Sequence, residues 1–127
     1  MTTHTLAIHQ DSAAADVVSK AVIRSAQQLE LSQAVVASIL GTSGATASRL
    51  FGGRYKLHPS RKREWEFALL FIRLYRSLDA IAGHGKEAIT WLNGDNTALL
   101  GKPVELIQTA EGLIRVLHYL DAYRGRI

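Results

Sequence analysis

The punctuation of residues 31–53 leaves room for little but two short helices joined by a tight turn. Ser32 is placed to cap the first, because its hydroxyl can accept a backbone N–H from the opening turn. Val35, Val36, Ile39 and Leu40 follow at helical spacing. Gly41 stands where a helix end calls for positive φ, Ser43 is a cap for the next helix, and Gly52-Gly53 closes it. Within that second helix Ala47, Leu50 and Phe51 share one face, and Ala45, Ser48, Arg49 and Gly52 fall opposite. An outward stripe that is small, polar and cationic can lie against the edges of base pairs without steric conflict.

The charge pattern agrees with that geometry. No acidic residue occurs between Glu30 and Glu64, whereas Arg49, Arg54, Lys56, Arg61, Lys62 and Arg63 all do. A field of one sign over a helix-turn-helix rhythm is the footprint of a domain that docks on duplex DNA. The competing reading is a structural three-helix bundle, which also uses short helices and glycine turns. On the DNA reading, Gln33 donates to a phosphate from the start of its helix. Ser43, Thr46, Ser48 and Arg49 enter the major groove, with Arg49 suited to guanine O6/N7. Arg54, Lys56, Arg61, Lys62 and Arg63 contact phosphates and set register. Arg61, Lys62 and Arg63 also crowd the positive end of the following helix, which is unfavourable unless an anion sits there. Small domains of this kind generally bind as two-fold dimers.

The rest of the chain is helical in its apolar spacing, and the two prolines, Pro59 and Pro103, interrupt little. The expected class is all-α. Residues 1–11 show no clear period and read as a flexible arm, with a first helix from Asp11 or Ser12 to Leu29. The longest helix is expected from Pro59 or Ser60 to Ala82. It carries two apolar stripes, one through Phe67, Phe71, Leu74 and Leu78, the other through Trp65, Ala68, Leu69 and Ile72. A helix apolar on two sides must be covered on two sides, so it reads as a spine. Turn clusters at Gly83–Gly85 and Asn93–Asn96 flank a short helix. Pro103 opens another, and Thr109 caps a final helix with Leu113, Val116, Leu117 and Leu120 on its buried face. Gly112 would let another backbone come close.

Of the 127 residues 47% are hydrophobic, enough for a core without staples, and there is no cysteine for disulfides or thiolate metal sites. Residues 1–76 hold ten Lys/Arg against five Asp/Glu, and residues 77–127 hold five against six. The division suggests a helix-turn-helix domain over 1–76 built for a polyanion and a second unit over 77–127 built for something else. Apolar runs such as Ala68–Ile72 are too short to span a bilayer, and the start of the chain lacks a secretion signal, so a cytoplasmic protein is the simplest reading. An enzyme is not expected. The five histidines have no metal-ligand spacing, and no catalytic residue, metal or cofactor is indicated.

Trp91-Leu92, the block from Leu100 to Ile107, then Thr109 to Gly112, Val116, Leu120 and Gly125, resemble the toxin-binding domain of Xre/MbcA/ParS-type antitoxins. Residues 31–53 with the long helix resemble the Xre-like helix-turn-helix of the same antitoxins. The resemblance implies a type II antitoxin encoded beside a RES-domain toxin that consumes NAD or uses it for ADP-ribosyl transfer. It also implies repression of the antitoxin's own operon. Mapped onto this chain, it places the toxin-contacting surface at Trp91, at Leu100 to Ile107 and along the helix from Thr109 to Ile127, with Lys102, Glu105, Glu111 and Arg115 among the contacts. Arg124, Arg126 and Ile127 at the chain end are candidates to reach the toxin's cleft. Trp91, Pro103, Leu106, Ile107 and Leu113 fit the core of that half as well as an interface. A plain repressor, whose second half only dimerises or senses a ligand, is the alternative.

Overall fold

The computed structural model describes residues 3–83 and 85–125, with side chains from Leu6 onward. It is all-α, and no strand occurs among the described residues. The elements are α1 (Thr3–Gln28), α2 (Gln33–Leu40), α3 (Gly44–Phe51), α4 (Lys62–Ala82), α5 (Lys86–Asn93), α6 (Pro103–Leu106) and α7 (Ala110–Arg124).

Helix α1 begins at Thr3, about two turns before the start expected at Asp11 or Ser12. Residues 6–13 are exposed on every side, and the first buried side chain is Ala15. Helix elongation is cheap once a packed turn exists, and Ala13, Ala14 and Ala15 are strong helix formers. The helix therefore continues past the last residue that packing demands. At its other end Glu30 takes φ 53 and the Leu31 N–H reaches the Ala26 carbonyl at 2.9 Å, so a left-handed cap forms without glycine.

The capping expectations are met in α2 and α3. Ser32 accepts from the Val35 N–H at 3.2 Å and Ser43 from the Thr46 N–H at 3.0 Å. Gly41 adopts φ 69, and a Cβ there would stand 3.3 Å from the Phe67 ring, so glycine serves both backbone and packing. Leu57 is wholly buried, and its N–H donates to the buried Ser19 hydroxyl at 2.9 Å, pinning the segment after α3 to α1.

The start expected for α4 is also corrected. His58, Pro59 and Ser60 form a turn, closed by the Arg61 N–H on the His58 carbonyl at 3.0 Å, and the helix opens at Lys62. From there α4 is the spine. It packs on α1, α2, α5 and α7, burying Ala68, Phe71, Ile72, Leu74, Ser77 and Leu78. One apolar cluster runs through it from Val22 in α1 to Leu120 in α7. The expected boundary at 76/77 falls inside this unbroken helix.

In the C-terminal half, Pro103 is buried at the start of α6 and Thr109 caps α7 by accepting from the Gly112 N–H at 3.1 Å. Between α5 and α6, Asn96 and Gly101 exchange backbone hydrogen bonds of 3.0 and 3.2 Å and close a tight loop.

Candidate nucleic-acid and toxin interfaces

The outward face of α3 carries a connected line of polar groups. The Thr46 hydroxyl oxygen accepts from the Ser43 hydroxyl at 2.9 Å and from Arg49 Nη2 at 3.2 Å. The i, i+3 spacing puts all three on one side of the helix, while Ala47 and Leu50 turn into the core. Ser48 and Arg49 are exposed, as is Gln33 in the first turn of α2. Arg49 is thus extended along the helix by Thr46, which lowers the conformational freedom it must lose on reaching a base.

Arg54, Lys62 and Arg63 are exposed and belong to no ion pair among the described residues. Lys56 and Arg61 are already engaged. Lys56 pairs with Asp16 of α1, which holds the Asp16 carboxyl below its usual range, first by the hydrogen bond and then by charge. Arg61 lies 4.8 Å over the Tyr55 ring, donates to the Lys56 carbonyl and faces Glu64 at 3.7 Å. The acid-free run therefore loses part of its field to carboxylates brought in from either side by folding.

Tyr55 donates to Glu64 Oε1 at 2.6 Å. Its phenol is pushed above the ordinary value of 10.0, mainly by burial and further by Glu64.

In the C-terminal half the expected contact residues divide. Lys102, Glu105 and Glu111 are exposed and free to meet a partner. Trp91 is half-buried and stacks on Tyr119, with centroids 6.2 Å apart and planes at 20°. The pair borders a cleft of about 240 Å³ shared with Leu78, Ile81 and Tyr123. Pro103, Ile107 and Leu113 are buried in the core, and Leu106 is partly so. Arg115 turns back to donate to the Leu99 carbonyl. Arg124 also folds back, its Nη1 lying 3.4 Å from the Ser77 hydroxyl. That hydroxyl donates to Asp121 at 3.1 Å, and Asp121 pairs with Arg73. Arg124 thus belongs to a network tying α7 to α4. Arg126 and Ile127 lie outside the described residues. Leu100, in the stretch mapped to the toxin surface, is 85% exposed, and the engagement of Lys56 and Arg61 is the feature that escaped the sequence reading.

Among the described residues no His/Asp/Glu group is arranged to hold a metal, and no helix is long and apolar enough to cross a membrane.

A serine-capped helix pair with an exposed cationic second helix defines a helix-turn-helix DNA-binding protein, here fused to a small helical domain. Residues 9–73 match the antitoxin Xre-like helix-turn-helix domain, and residues 77–126 match the antitoxin Xre/MbcA/ParS C-terminal toxin-binding domain. The chain belongs to the Xre family of antitoxins, whose two matched domains are regulatory and not enzymatic. A comparison with curated proteins returned no match.

Proposed function

We propose that this antitoxin neutralises a RES-domain toxin, one that consumes NAD or transfers ADP-ribose from it, and represses its own operon as a cytoplasmic homodimer. On this reading residues 1–76 grip the operator and residues 77–127 grip the toxin. The observation that carries it is the pairing of an exposed Ser43–Thr46–Arg49 line with a toxin-binding match, both built on one core through α4. The RES class of toxin is supported by the resemblance of the C-terminal half alone. A plain repressor would leave the match over 77–126 without a role.

Dimerisation has a surface available to it. Val17 of α1 and Leu69 of α4 are 66% and 44% exposed, and they share a groove of about 430 Å³ that Arg73, Arg76 and Arg124 also line. Leu6 falls on the same side of α1 as Val17 at helical spacing and is 50% exposed.

Co-expression with the neighbouring gene decides the central point. Growth should be rescued from that gene's toxicity by this chain, and the two proteins should co-purify. Continued toxicity beside abundant soluble antitoxin would leave only the repressor. Light scattering on wild type and Val17→Arg tests the dimer, which a further positive charge beside Arg73 and Arg76 should dissociate.

A further inference from the structure

Among the described residues two non-glycine positions have positive φ, Glu30 at 53 and Leu100 at 60. Glu30 closes a helix end, where that conformation satisfies orphan carbonyls. Leu100 ends the turn closed by its own N–H on the Thr97 carbonyl and returns the chain to the Asn96–Gly101 pair, a place that glycine or asparagine would fill without strain. It sits in the Asn96–Gly101 loop, in a backbone region that L residues with bulky side chains avoid.

Its side chain does not repay that strain within the chain. Leu100 is 85% exposed, against 46% for Tyr123 and 40% for Ile114, the other exposed large apolar residues among those described in the C-terminal half. The loop is nevertheless firmly built. The Leu99 side chain is buried, its N–H donates to Asn96 Oδ1 at 3.0 Å, and its carbonyl accepts from Arg115. The Leu100 N–H itself reaches the Thr97 carbonyl at 3.3 Å. A rigid loop therefore holds one aliphatic side chain out into solvent in a strained conformation. Strain kept by a well-ordered surround is the mark of a functional position.

We propose that Leu100 is the aliphatic anchor of the toxin interface, inserting into an apolar cleft of the toxin while exposed Lys102 and Glu105 form the polar rim. This rests on the toxin-binding reading above. Presenting the side chain on a fixed loop removes most of the ordering entropy that a flexible anchor would lose on binding. Burying one leucine side chain corresponds to about a 10- to 100-fold change in affinity.

The test uses full-length wild type, Leu100→Gly and Leu100→Asn, both replacements being at ease with positive φ. Each is measured for thermal unfolding alone and for affinity to the purified neighbour-gene toxin. Relief of strain should raise the melting temperature of both variants by about 3–5 °C, while toxin affinity falls about 10- to 100-fold. Operator binding should stay at the wild-type level. Wild-type toxin affinity in both variants would overturn the anchor and leave the toxin reading standing. Loss in the glycine variant alone would overturn it too, because loop order and not the side chain would then be responsible. No rise in melting temperature would overturn the strain argument. A wild-type chain that fails to hold the toxin removes the anchor together with the reading it rests on.

Discussion

Gly112 lies directly beneath the Leu106 carbonyl: a Cβ built on it would stand 2.7 Å from the Leu106 carbonyl carbon and overlap the oxygen. The first turn of α7 and the last of α6 touch backbone to backbone there. Neither neighbour is the yielding tip of a side chain, since Thr109 Oγ1, 2.9 Å away, is itself the N-cap. Gly112→Ala should destabilise the protein by about 2–4 kcal/mol, read from urea unfolding. A loss below about 0.5 kcal/mol would mean that α6 moves aside freely.

Arg49 is aligned by Thr46, so the two should act as one unit in base selection. Arg49→Ala should relax preference at one position in each half-site, with a discrimination loss of about 1–3 kcal/mol. Thr46→Val should give a smaller loss at the same position. Competition binding over single-base operator variants checks both. Equal weakening on every sequence would make Arg49 a phosphate contact.

Salt dependence should separate the unpaired cations from the engaged ones. Neutralising Arg54, Lys62 or Arg63 should each flatten the log–log slope of operator affinity against salt by about 0.9. Lys56→Ala should change it less, because Asp16 already holds that ammonium in the free protein. An equal change for all four would show that the Lys56–Asp16 pair opens on DNA at no cost.

Tyr55 ties stability to alkaline pH. Its folded pKa is raised, so its contribution is complete below the unfolded value of about 10 and is lost as pH climbs through the folded value. Tyr55→Phe should flatten the fall in melting temperature above pH 10, and melting curves from pH 8 upward read it out. The pair at Lys56 behaves with opposite sign. The lowered Asp16 pKa gives a contribution present above its ordinary value of 3.8 and lost below it.

What could be read from the sequence was what local chemistry decides. Ser32, Gly41, Ser43 and Thr109 fulfil their capping roles, and Pro103 opens α6, because a helix end needs only its own turn. The close approach at Gly112 was legible for a similar reason. The exposure of Gln33, Ser48 and Arg49 followed from helical phase. The unread features depend on residues far apart or on energetics without a residue signature. Asp16 reaches Lys56 across forty positions, so an acid-free window could not reveal it. The extension of α1 to Thr3 follows from propagation off a packed segment, which periodicity does not report. The left-handed Leu100 had no glycine to betray it.

A single rod, α4, forms a wall of both halves, and its Ala68, Phe71 and Leu74 belong to a hydrophobic interior that neither half owns alone. On the proposed function, one protease cut in that rod would release operator and toxin together. Such a molecule has no stage at which it has surrendered one charge and still guards the other.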